Sequence, residues 1–219
     1  MNVTLNVDLS CGTDLSIINA ARRSFDTQHQ EFAEADERLL RFLIREGHWL
    51  PFRHPQVSFS CEAPVAIARQ LGKHQVGMDW SETSRRYKTT RLVLWTPEEW
   101  RMRPEGSIKQ GTGPAAPPDL QAEASEILEQ IHSTALAGYH RLLDLGIAPE
   151  QARLGLPQSM LVYWTWTGSL LAWLHLIRER SGPHAQQETR EWVTRHIVPI
   201  IAERFPRTWA AIQDQEVKN

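Results

Sequence analysis

Residues 70–87, QLGKHQVGMDWSETSRRY, bring cations, amides, carboxylates and hydroxyls into one short stretch. Lys73, Arg85 and Arg86 are cationic donors, and an arginine fork suits a phosphate dianion. Ser84 adds a hydroxyl, and the backbone N–H groups of a tight loop can join it. Glu82 would repel a phosphate but suits a ribose hydroxyl or a ring N–H. His74 and Gln75 can reach a second polar ligand. The stretch has no Gly-rich phosphate loop, no metal-ligand spacing and no evident nucleophile. From this window alone, a solvated, salt-bridged loop stands as the competing reading.

Other positions bear on that choice. His48 and His54 in GHWLPFRH are poorly spaced for a metal pair, and a structural histidine is the default. Arg153 sits in the apolar QARLGLP, just before a helix, and Arg178 ends the aromatic segment that follows. Each alone reads as a helix-end charge. Together, several arginines beside apolar segments point to an anionic ligand between helices.

The elements that must position these groups follow from periodicity. Val3, Leu5, Val7 and Leu9 alternate as a first strand. Asp14 is expected to cap a helix through about Arg23, and a second helix runs from about Glu31 to Glu46, stopped by Gly47. Val57, Phe59 and Cys61 alternate as a half-buried strand, and Pro64 opens a short helix, PVAIARQLG. RRYKTTRLVLW reads as a further strand, and residues 97–118 as a loop excursion or lid. Asp119 is expected to cap a long helix closed by Gly146, and Pro183 to open a last one, HAQQETREWVTRHI. The expected fold is α+β, a small mainly antiparallel sheet packed with helices, with a helical C-terminal half, in a single domain over 1–219.

Composition narrows the function classes. A length of 219 residues suffices for one sizeable core. The formal net charge of -2 provides no global basic field, so no nucleic-acid partner is expected, whereas a small anion needs only a local cluster. The two cysteines, Cys11 and Cys61, form neither a disulfide framework nor a zinc signature, which fits a reducing, cytoplasmic setting. The N-terminal MNVTLNVDLS alternates and contains an acid, unlike a signal peptide. Residues 156–177, LPQSMLVYWTWTGSLLAWLHLI, are the one candidate membrane span, but their Gln, Ser, Thr and His content favours a buried helix and no membrane partner. The nine tryptophans read mainly as core or interface, with rings that also suit stacking on planar ligands.

RQLGKHQ followed by SETSRRY resembles the signature of the flavin-dependent thymidylate synthases, an Arg-His-Arg triplet followed closely by Asn-Glu-x-Ser-x-Arg-Tyr. AARRSF (20–25), GHWLPFRHPQVSFSCEAPVAIARQ (47–70), ARLGLP (152–157) and HAQQETR (184–190) are similar to flanking blocks of that family, in the same order. The resemblance implies a homotetramer with active sites at subunit interfaces, binding FAD and dUMP, with methylenetetrahydrofolate as carbon donor and NADPH reducing the flavin. It implies dUMP contacts for Gln70, Lys73, Glu82, Ser84, Arg86, Arg153 and Arg178, with Ser84 and Arg86 on the phosphate. Arg178 would be catalytic, favouring ionisation at uracil N3. FAD contacts are implied for Ser24, His48, Lys73, His74, Gln75 and Glu82. The activity implied is reductive methylation of dUMP to dTMP, in which hydride from a reduced cofactor removes the need for a cysteine thiolate.

The chain departs from the family pattern in several places. Lys73-His74-Gln75 replaces the triplet, the interval to Ser84 is one residue longer, and Ser81 replaces Asn. Leu50 and Arg53 stand where Thr and Glu are usual, and WTGSLLAW (166–173) lacks Asn and Arg flavin contacts. Phage-like members share the KHQ, PFRHPQ and WTGSL features, which points to that subgroup. Asp79 and Ser81 motivate an alternative, a dUMP or dCMP hydroxymethylase of the same fold. The lost guanidiniums motivate another, a catalytically impaired nucleotide- or flavin-binding homologue.

Overall fold

The computed structural model describes residues 1–105 and 111–216. Its centre is a four-stranded antiparallel sheet in the order β1 (Asn2–Leu5), β2 (Gln56–Pro64), β4 (Leu161–Ser169), β3 (Met78–Glu82). Helices α1 (Asp14–Arg22) and α2 (Glu34–Arg45) precede β2, and α3 (Val65–Leu71) links β2 to β3. The long α4 (Pro118–Asp144) and a short α5 (Pro149–Ala152) lead to β4, and α6 (Leu170–Ser181), α7 (Gln187–Trp192), α8 (Val198–Arg204) and α9 (Pro206–Glu216) follow. The architecture is the expected α+β one, with most of the helix in the C-terminal half.

The pleat sorts the sheet into two chemically distinct faces. Val57, Phe59, Cys61 and Ala63 of β2 pair with Gly168, Trp166, Trp164 and Val162 of β4, and this buried face packs against Ile17, Leu40, Leu71, Trp173 and Trp192 from the helices. The reverse face is polar. Thr167 Oγ1 donates to Ser58 Oγ at 2.8 Å, and Ser60 Oγ donates to Asn6 Oδ1 at 2.8 Å. On the apolar face Gly168 permits a close crossing: a Cβ there would run into Met78 Sδ and lie 3.0 Å from the Gly77 carbonyl oxygen.

Several expectations are corrected. The 156–177 segment is not one buried helix: Leu161–Ser169 is the central strand and the helix begins at Leu170. Alternating aromatic and β-branched residues favour the pleat up to Thr167, and Ser169 then caps α6 by accepting from the Ala172 N–H at 3.3 Å. No helix among the described residues is long and apolar enough to cross a membrane. The alternation at the N-terminus ends at Leu5, and Val7–Leu9 forms a 3-10 turn.

RRYKTTRLVLW is likewise not a strand; the sheet's fourth strand is instead Met78–Glu82, inside the polar stretch. Arg85 explains part of this. It is buried, and its guanidinium donates to the carbonyls of Lys88, Thr90 and Arg91 at 3.3, 2.7 and 3.0 Å, winding the chain into a loop. A lysine cannot reproduce that fork. Arg85→Lys is therefore expected to lower the unfolding free energy by about 2 kcal/mol, the scale of hydrogen bonds to a charged group, as read from urea denaturation.

Asp14 does not cap its own helix. Its carboxylate accepts from the Arg207 and Thr208 N–H groups and from Thr208 Oγ1 at 3.0, 3.1 and 2.6 Å, and so caps the distant α9. Similarly, α4 starts at Pro118 after Pro117, with Asp119 inside its first turn, and Gly146 turns the chain at φ +80°. The last expected helix is interrupted by a π turn at Val193–Ile197, before Pro199, whose missing N–H cannot continue the ladder. Of the excursion expected over 97–118, residues 106–110 lie outside the described residues. The remainder is tied to α4, with Trp100 Nε1 donating to Ser125 Oγ at 2.9 Å.

Candidate active site

The C-terminal end of α3, strand β3 and the loop after it enclose two adjoining clefts. The first, about 490 Å³, is lined by Val65, Met78, Trp80, Val162 and Trp166 as an apolar and aromatic surface, with Arg69, His74, Gln75 and Glu82 as polar groups. The second, about 500 Å³, is lined by Glu82, Ser84, Arg85, Arg86, Arg153 and Gln158, with Val65, Leu156, Met160 and Val162 as its apolar part. Both volumes lie within the range of small-molecule sites. Val65, Glu82 and Val162 belong to both clefts, so Glu82 stands where they join.

Local structure fixes these groups. Gly77 has φ +71°, a left-handed turn that brings the chain from α3 into β3. From there the period of two directs Met78, Trp80 and Glu82 to the face shared with Trp164 and Trp166, so Asp79 and Ser81 point to the reverse face. The unusual Asp79 and Ser81 therefore lie away from the twin clefts, although the sequence put them near the site. Trp80 stacks on Trp164 at 4.2 Å between ring centroids, and its indole N–H donates to Glu82 Oε2 at 3.2 Å.

In the second cleft, Ser84 Oγ accepts from the Arg86 N–H at 3.2 Å, and the Tyr87 N–H donates to the Ser84 carbonyl at 3.2 Å, forming a tight turn. Arg86 lies over the Tyr87 ring at 5.2 Å. Arg153 Nε donates to the Glu150 carbonyl at 3.2 Å. Among the described residues neither Arg86 nor Arg153 forms an ion pair, which leaves a hydroxyl and two guanidiniums as anion donors. Arg85, one of the cations weighed for that role, is spent on backbone carbonyls.

The structure thus brings together His74, Gln75 and Glu82 in one cleft, and Glu82, Ser84, Arg86 and Arg153 in the other. Gln70 is half-buried on α3 and Lys73 is exposed between Gly72 and His74; neither lines a cleft within one chain. Ser24 is exposed in a 3-10 turn, and His48 is exposed, edge-on to Phe42 at 5.6 Å. Arg178 opens onto a separate, larger cleft of about 700 Å³ with Trp49, His175 and Trp209, and pairs with Glu179 at 3.3 Å. No group of His, Cys, Asp and Glu among the described residues could hold a metal ion.

Arg69, Trp80, Trp166 and Arg180 were not among the expected site residues. Arg180 Nε donates to His74 Nε2 at 2.8 Å, reaching the first cleft from α6. A helix turns about 200° over two residues, so Arg178 and Arg180 cannot serve the same wall; the sequence RER carried that signal. Burial, then Arg180 and His175, hold the His74 imidazole below its ordinary value against a smaller opposing pull from Glu179. Burial pushes the Cys61 thiol far above its ordinary range, and neither cysteine lines the twin clefts. A thiolate nucleophile is therefore not at hand there.

The family model described as thymidylate synthase complementing protein matches residues 7–207. A flavin-dependent thymidylate synthase of Thermus thermophilus is 31% identical over 93% of this chain and 73% of its own length. One of Treponema denticola is 32% identical over 90% of this chain and 76% of its own. The crystal structure of the UMP/dUMP methylase PolB from Streptomyces cacaoi, bound with 5-Br UMP, superposes with a TM-score of 0.85 at 27% identity, covering 96% of this chain and 92% of that one. The same methylase bound with 5-Br dUMP gives 0.85 at 26% identity.

Proposed function

The chain belongs to the flavin-dependent thymidylate synthase family, and from that premise we propose that it converts dUMP to dTMP, with FAD in the first cleft and the nucleotide in the second. The observation that carries the reading is the pair of clefts sharing Glu82, one aromatic with a polar rim and one lined by unpaired guanidiniums. The residues present fit a flavin: Trp80, Met78 and Val65 offer an apolar surface, while His74 and Gln75 offer hydrogen bonds to a ring edge. Reduced FAD, when bound, supplies the hydride that completes the methyl group, with methylenetetrahydrofolate as carbon donor and NADPH as reductant.

The chain's own contribution is binding and orientation. Arg86, Arg153 and Ser84 would hold the phosphate, and Glu82 a sugar hydroxyl or ring N–H, so that the pyrimidine extends toward the first cleft. Apolar Val65 and Val162 on the shared wall would exclude water between the two ligands. Cys61 is unsuited to add to the pyrimidine, because it lines neither cleft and burial pushes its thiol far above the ordinary range.

Ser24, His48 and Arg178 lie off the twin clefts within one chain, so the roles the resemblance implies for them call for the homotetramer it also implies, with another subunit bringing them to the site. The surface of α4 agrees: among its apolar side chains Leu120, Ile127 and Ile131 are 38%, 50% and 51% exposed. Seven- and four-residue spacings put them on one stripe that a second copy would cover. Ile131→Lys is expected to lower the assembled mass in light scattering and to reduce turnover in parallel.

Mass spectrometry of the product from dUMP, methylenetetrahydrofolate, FAD and NADPH tests the reaction. A methylated nucleotide is expected; a hydroxymethylated one would favour the alternative that Asp79 and Ser81 motivated, although both now lie on the reverse face. UMP and dCMP belong in parallel reactions, since PolB is a UMP/dUMP methylase. Protein that binds neither FAD nor nucleotide would mean an impaired homologue.

A further inference from the structure

We propose that Trp80 is a positioning residue that holds the Glu82 carboxylate where the two clefts join and keeps it from pairing with the guanidiniums around it. The role rests on the proposed function, in which Glu82 accepts from a nucleotide hydroxyl or ring N–H. Trp80 and Glu82 stand two residues apart on β3 and share one face of the sheet. The Trp80 ring is fixed on two sides. It stacks on Trp164 at 4.2 Å with 13° between the planes, and meets Trp166 edge-on at 5.3 Å and 65°. Those two rings are 3% and 1% exposed on β4, which pairs with both β2 and β3. The indole N–H, which can only donate, is thereby directed at Glu82 Oε2, 3.2 Å away. Glu82 forms no ion pair among the described residues.

The surroundings make that restraint matter. Among the described residues Glu82 is the sole carboxylate lining either cleft, whereas Arg69 borders the first and Arg86 and Arg153 border the second. A freely rotating carboxylate there would be drawn onto a guanidinium, because charge-assisted hydrogen bonds are the stronger ones. Such a pair would withdraw an anion donor and a ligand acceptor together. The indole N–H engages one carboxylate oxygen without neutralising the charge, and leaves the other oxygen to an uncharged donor such as a sugar hydroxyl or a ring N–H. A side chain already ordered in the free protein also loses less rotamer freedom when the ligand arrives. Phenylalanine would pack against Trp164 and Trp166 as an aromatic ring but has no N–H, so the two contributions of Trp80 can be separated.

A double-mutant cycle on FAD-loaded protein, with dUMP affinity measured by calorimetry, tests the role. Trp80→Phe is expected to weaken dUMP roughly fivefold, the scale of one hydrogen bond, while FAD uptake is retained because an aromatic ring still lines the cleft. In a Glu82→Ala background the same change is expected to cause no further loss, since there is no carboxylate left to position. An equal loss in both backgrounds would assign the effect to ring packing and overturn the proposal. NMR of the full chain without ligand supplies a second reading. The Trp80 indole N–H resonance, assigned by its disappearance in Trp80→Phe, is expected to shift on Glu82→Ala. A resonance that does not move would overturn the proposal as well. Unaltered dUMP affinity in Glu82→Ala would refute the nucleotide site at Glu82, and the indole resonance would then still decide whether Trp80 holds the carboxylate.

Discussion

Arg86→Ala is expected to weaken dUMP binding on the order of 100-fold while FAD is retained. Arg86 and Arg153 line the second cleft only, beside a serine hydroxyl, and form no ion pair among the described residues. Charged hydrogen bonds contribute about 1.5–3 kcal/mol each, and a bidentate guanidinium–phosphate contact lies at the upper end. Arg86→Lys is expected to recover part of the loss, because it restores a point charge without the fork. Glu82→Ala should behave differently, lowering the affinity of both ligands, since Glu82 borders both clefts. Equal losses of FAD in the two variants, measured by flavin absorbance after gel filtration, would mean that the clefts do not divide the ligands in this way.

The second large effect concerns stability. Asp36 is fully buried at the start of α2; it accepts from Arg22 Nε and Nη2 at 3.0 and 2.7 Å and from the Ala33 N–H at 2.9 Å, and lies 2.8 Å from His29 Nδ1. Burial alone would raise its carboxyl, but the Ala33 N–H, His29 and Arg22 together outweigh it and hold it below the ordinary value. A carboxyl depressed in the folded state contributes stability above its unfolded value of about 3.9, and that contribution is lost as pH falls through the lower folded value. Asp36→Asn cannot satisfy these donors and leaves Arg22 without its carboxylate. It is expected to cost about 3 kcal/mol at neutral pH, with a correspondingly flatter acid limb in the denaturation profile. A loss below about 1 kcal/mol, the scale of exposed ion pairs, would contradict the buried cluster.

The sheet strands differ in how openly the sequence announces them. Val57, Phe59 and Cys61 alternate against polar neighbours, and their strand is readable directly. The segment 161–169 is less so, because Trp164 and Trp166 alternate only with Thr and Tyr, and a continuous apolar stretch joins it to α6. Met78–Glu82 was hidden for another reason: its polar residues conceal a strand whose inward positions are Met78, Trp80 and Glu82. At the site, residue types pointed to Ser84, Arg86 and Arg153 as anion donors, and the structure brings the three into one cleft. They misled where an arginine serves the chain itself, as Arg85 does. That Arg180 meets His74 depends on helical phase, which only the packing of α6 against the end of α3 reveals.

The central claim is that two ligands meet across one wall at Glu82, and dUMP titration of FAD-loaded protein tests it most directly. The account predicts a protein that takes up FAD and whose flavin absorption bands shift on adding dUMP, because the pyrimidine comes to lie against the ring. Flavin bands that stay unchanged at saturating dUMP, with nucleotide binding confirmed by calorimetry, would contradict it.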